Sequence, residues 1–119
     1  MKENIIVSKS EDFAVRLVNL FRILQSERKE FIISKQLLRC GTSIGANIAE
    51  SHEAQSDSDF IAKLYISLKE CRETLYWLRL LFRTEYLRET EYRSIAEDAK
   101  EIKIILSSII LTKKKMASK

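Results

Sequence analysis

The chain has no proline and only two glycines in 119 residues. An all-β chain needs turn residues every ~8–12 positions. Their scarcity excludes a sandwich or barrel and favours helices. Long apolar runs are missing too. The longest, IILSSIIL at 104–111, falls short of the ~20 residues a membrane helix needs. The opening MKENIIVSKS lacks the apolar core and cleavage site of a secretory leader. A cytoplasmic protein without a membrane partner is therefore expected. With a single histidine, His52, and two cysteines, Cys40 and Cys71, the chain falls short of a zinc site or a disulfide framework. Both cysteines fall at apolar helical positions and read as buried, reduced thiols.

What is present suits one helical domain. Hydrophobic residues make up 45% and charged residues 32%, a balance that argues against disorder. A net charge of +4 and a pI of about 9.1 permit contact with nucleic acid without requiring it.

Four amphipathic segments follow from the spacing of apolar residues. The first covers about 9–28, opened by an S-x-x-E capping box at Ser8 and Glu11, with Phe13, Leu17, Leu20, Phe21 and Leu24 on its stripe. The second covers about 32–52, with Leu37, Gly41, Ile44, Gly45 and Ile48 on one face. The third covers about 58–83 and is capped from Ser56 or Asp57; its stripe runs Phe60, Leu64, Leu68, Cys71, Leu75, Leu78 and Phe82. The fourth covers about 91–112 with Thr90 as its cap and Tyr92, Ile95, Ala99, Ile102, Leu106 and Ile109 inward. The basic tail TKKKMASK reads as a frayed end suited to the negative pole of the helix dipole. Short links between such helices predict an all-α, antiparallel up-down-up-down four-helix bundle.

The core stripes do not use every apolar residue. Val15, Val18 and Ile23, then Ile66 and Trp77, then Ile104, Ile105 and Leu111 lie off them. Surplus apolar surface on several helices predicts a homo-oligomer.

Motifs with a mechanism are missing. GTSIG, at 41–45, has neither the lysine of a phosphate loop nor a preceding strand. His52 lacks a nucleophile or metal partner at a recognisable spacing. Glu70 and Glu73, with Lys63, Lys69 and Arg72 nearby, read as a salt-bridge lattice. No catalytic residue, cofactor site or metal site is assigned, and no enzyme is expected.

Two sets on the second helix need explaining. Gly41, Gly45 and Ala49 form a G-x-x-x-G-x-x-x-A ladder, and each glycine costs a helix about 1 kcal/mol relative to alanine. A helix-packing seam, with a neighbouring backbone close by, is the expected reason. Behind the ladder, Ser43, Asn47 and Glu50 stack one turn apart. They form either a solvated face or a polar seam against Glu70, Glu73 and Trp77.

SKQLLRCGTSIGANIAES followed by QSDSDFIAKLYISLKECRETLYWLRLL resembles the 23S rRNA-intervening sequence proteins. These are similar to the accessory variability determinant of diversity-generating retroelements. The resemblance rests on Gln36, Leu37, Arg39, Ser43, Ile44, Asn47, Ile48 and Glu50, then Asp59, Phe60, Lys63, Glu70, Glu73, Tyr76, Trp77 and Leu78. Cys40, Ser51 and His52 depart from the pattern, the last two at the end of the second helix. The resemblance implies a four-helix bundle in a ring, typically a homopentamer, with no known enzymatic activity. In the retroelement relatives it implies binding to nucleic acid and to a reverse transcriptase. The leading expectation is a ring-forming bundle that binds RNA or DNA. The candidate contacts are Arg16, Arg22, Arg28, Lys29, Arg39, Arg83, Arg88, Lys113, Lys114 and Lys115. The alternative is an assembly or adaptor module whose partner is another protein.

Overall fold

The computed structural model describes residues 2–118. Four helices, α1 (Lys2–Ser26), α2 (Ile33–Ser51), α3 (Asp57–Arg83) and α4 (Glu89–Ala117), account for nearly all of them, and no strand occurs among the described residues. They form a rod of 52 × 22 × 20 Å. Each helix touches its neighbours in the chain and α4 touches α1, whereas the diagonal pairs have no Cα atoms within 8 Å. The four therefore surround one core in cyclic order. Its innermost side chains include Leu17 and Leu24 of α1, Leu37, Ile44 and Ile48 of α2, Leu64, Leu78 and Leu81 of α3, and Ile102 and Leu106 of α4. Every buried side-chain polar atom among the described residues has a hydrogen-bond partner. Ser67 Oγ, for example, donates to the Ile44 carbonyl across the α2/α3 contact at 2.8 Å.

Two helices are longer than their sequence patterns indicate. α1 starts at Lys2 rather than near residue 9, because buried Ile6 carries the apolar stripe back two turns from Phe13. Ser8 and Glu11 thus lie inside the helix and form no capping box; Ser8 Oγ donates to the Ile5 carbonyl instead. α4 begins at Glu89, so Thr90 is not its cap. The Glu91 carboxylate accepts the Arg88 backbone N–H at 2.8 Å. At its other end α4 continues through Ala117 where fraying was expected. Ile109 and Ile110 are buried there, and Lys113 and Lys114 lie over the rings of Phe60 and Tyr65.

The α1–α2 connection supplies its own cap. Glu30 is buried, and its carboxylate accepts the backbone N–H groups of Ile32, Ile33 and Ser34 at the start of α2. Burial alone would raise its pKa, but these donors outweigh it and the net shift is downward. α3 starts as expected, with Ser56 Oγ accepting from the Asp59 N–H at 3.0 Å.

Candidate functional site

The glycines lie where α2 crosses α1. A methyl group on Gly41 would come within 1.9 Å of Leu17 Cδ1. One on Gly45 would meet Ser10 Oγ at 3.3 Å and the Ser10 carbonyl oxygen at 3.5 Å. Their neighbour is therefore α1 of the same chain. Ala49 takes no part in this contact and is exposed. Successive steps of four residues rotate by about 40° round a helix, so the third rung has turned off the α1 contact.

The polar set divides. Asn47 Nδ2 donates to Ser43 O and Ser43 Oγ at 2.9 and 3.0 Å, bonds internal to α2. Glu50 pairs with Lys63 of α3 at 3.6 Å. Glu70, Glu73 and Trp77 do come together. Arg39 of α2 bridges both carboxylates, and Trp77 Nε1 donates to Glu73 Oε2 at 2.9 Å. Ser43 and Asn47 make no side-chain bond to α3.

Four of the ten basic residues selected from sequence are ion-paired. Arg16 donates to Asp98 and Ser94 of α4, both at 2.7 Å. Arg28 and Arg88 share Glu91, and Arg39 is held as above. Arg22 reaches only Asn19 in its own helix at 3.4 Å. Lys29, Arg83 and Lys115 are exposed and have no ion-pair partner among the described residues. The cleft of about 310 Å³ between α1 and α4 is lined by Lys9, Asp12, Arg16, Asp98 and Glu101. Lys9 pairs there with Glu101, which raises its pKa, so this cleft is largely self-neutralised.

The seam between α3 and α4 is different. On α3, Lys69, Arg72, Tyr76, Arg79 and Arg83 follow steps of three and four residues and form one exposed stripe. On α4, Lys100, Lys103 and Lys114 border it. None of these cations has an ion-pair partner among the described residues. Arg72, Leu75, Tyr76, Arg79, Tyr92, Lys100 and Lys103 line a cleft of about 380 Å³ with no acid in its wall. A second cleft, lined by Tyr65, Arg72, Ser107 and Lys114 among others, adjoins it through Arg72. The basic, solvent-facing residues selected from sequence include only Arg83 and Lys114 of this surface. The signal for the rest was the 3–4 spacing of cations along α3.

Nothing in the described residues groups three or more His, Cys, Asp or Glu side chains as a metal site. No helix among them is long and apolar enough to cross a membrane. The buried thiols are held protonated. Burial raises Cys40 to about 11 and Cys71 to about 12. No curated protein matches the chain. The fold resembles the crystal structure of a protein of unknown function from the S23 ribosomal protein family of Bacteroides thetaiotaomicron. That chain is 58% identical, with a TM-score of 0.92 over 92% of this chain and 98% of the other. Residues 2–108 match the family model of the 23S rRNA-intervening sequence protein, and with that span and that likeness the chain belongs to this family.

Proposed function

We propose that the protein is a non-catalytic, cytoplasmic, homo-oligomeric bundle that binds RNA or DNA through the α3/α4 face. The observation that carries this reading is the row of cations there without acidic partners. Elsewhere on the molecule five arginines, Arg16, Arg28, Arg39, Arg88 and Arg93, are matched by carboxylates, and Arg22 is not. Unmatched cations in a row repel one another and relax when phosphates bind and displace counterions.

An up-down-up-down course is supported by contacts between α1 and α4. Lys2 bonds Ser108, Lys9 pairs with Glu101, Arg16 with Asp98 and Arg28 with Glu91, so the partner number falls as the first rises. Self-association is supported by exposed apolar side chains on different sides of the rod. Val15 is 56% exposed on α1, Ile66 43% on α3, and Ile104 68% on α4. Val15 of α1 and Ala46 and Ala49 of α2 are exposed on the two helices that do not carry the basic seam. Head-to-tail contacts between unlike patches close rings, and a ring, a pentamer by family likeness, is the proposed form.

The test is binding of structured RNA and of duplex DNA, titrated with salt. Affinity should fall steeply as salt rises, with a slope of ~0.7–0.9 per phosphate neutralised. Arg72→Glu with Arg79→Glu should abolish binding, while Arg16→Gln and Arg39→Gln should leave it in place. Absence of binding at low salt would instead favour an adaptor for another protein.

A further inference from the structure

We infer that the α3/α4 cleft takes an unpaired nucleobase on the ring of Tyr76, making single-stranded nucleic acid the preferred ligand; this rests on the phosphate-binding reading of the same face. Tyr76 stands in the middle of the cation stripe, one turn from Arg72 on one side and from Arg79 on the other. Its ring is half exposed. The other two tyrosines on this face are engaged. Tyr92 is stacked on Phe82 with centroids 4.8 Å apart and planes at 4°. Tyr65 carries the Lys114 ammonium 4.8 Å from its centroid. Tyr76 makes only an edge contact with Trp77, at 5.0 Å and 71°. An exposed ring among cations that have no counter-charge offers both halves of single-strand recognition, a stacking platform and a track for phosphates.

The shape of the face argues against reading a duplex. Two helices side by side, each about 10–12 Å across, present a surface too broad for a major groove about 12 Å wide. Against a duplex this surface meets phosphates alone, and the Tyr76 ring has no base face to cover. A single strand can turn one base into the cleft while its phosphates lie along Lys69, Arg72, Arg79 and Lys103.

The experiment compares three probes on the full-length protein: a single-stranded oligonucleotide, an abasic strand with the same number of phosphates, and a duplex of the same sequence. The normal strand should bind about tenfold more tightly than the abasic one, the ~1.4 kcal/mol at the low end of base stacking on an aromatic side chain. Tyr76→Ala should erase that difference and leave the salt slope unchanged, and Tyr76→Phe should restore it. Trp77, the single tryptophan, lies against Tyr76 and should change its emission with the normal strand only. Equal affinity for normal and abasic strands, or a duplex that binds best, would overturn the inference while phosphate binding stands. No binding of any probe at low salt removes both.

Discussion

Arg28 reaches from the end of α1 to Glu91 in the first turn of α4, with Nη2 2.7 Å from Oε2 and Nη1 3.0 Å from Oε1. The same guanidinium donates to the Tyr86 carbonyl at 2.7 Å, so two connections at one end of the bundle are joined through one side chain. These bonds from Arg28, aided by Arg88 and opposed by burial, hold the Glu91 pKa down at about 2.

Acid should undo this link in a defined window. A glutamate in the unfolded chain titrates near ~4.3. The folded value lies below that, so the stabilisation is fully present above pH ~4.3 and is lost as pH falls towards the folded value of about 2. The shift corresponds to on the order of 2–3 kcal/mol. Glu91→Gln should lower Tm at neutral pH, and the gap to the parent should close as the pH falls through that window. Melting curves across an acid series read it directly. A gap that persists undiminished at the acid end would mean that packing, not charge, holds the two ends together.

The two glycines should respond unequally. At Gly41 any side chain meets buried Leu17, and overpacking costs typically ~1–3 kcal/mol. Gly41→Leu should therefore lower Tm by several degrees or prevent folding. At Gly45 an added methyl finds only slightly tight contacts with Ser10, and alanine regains about 1 kcal/mol of helix propensity. Gly45→Ala should be neutral or stabilising by thermal melting. A fully stable Gly41→Leu protein would contradict the seam.

Glycine is absent where a helix end usually wants it. Lys29 and Glu85 adopt φ of 58° and 70° in the turns after α1 and α3. The following residues close those ends, Glu30 N–H donating to Leu24 O at 2.9 Å and Tyr86 N–H to Leu81 O at 2.8 Å. A side chain in this left-handed conformation costs roughly 1–2 kcal/mol. Glu85 is exposed, so Glu85→Gly relieves the strain with no packing to lose. Tm should rise by a few degrees; an unchanged or lower Tm would show that the backbone entropy of glycine cancels the gain.

Self-association should depend on the α1/α2 face. Ala46 and Val15 are exposed there, and a charge at either desolvates badly in an interface. The parent should scatter light as a multimer at micromolar concentration, and Ala46→Glu should scatter as a monomer with its helical content intact. A parent that is monomeric removes the ring from the proposal.

Four amphipathic helices and most of their core stripes were legible in the sequence, because the 3.6-residue period decides which side chains face inward. The start of α3 at Ser56 was legible for the same local reason: a cap is a contact between residues three apart. The ends of α1 and α4 were not. Buried Ile6 and the seating of Lys113 and Lys114 on Phe60 and Tyr65 depend on helices distant in sequence. The glycine spacing announced a close approach. That the neighbour is α1, and that Ala49 turns away from it, came only from the crossing of two helices. Composition fixed how many cations there are. Which of them are cancelled was decided by tertiary structure, since Arg16, Arg28 and Arg39 meet acids on other helices while Lys69, Arg72 and Arg79 meet none. Ionic partnership acts across space with no period along the chain, and it is what leaves one seam of this bundle charged.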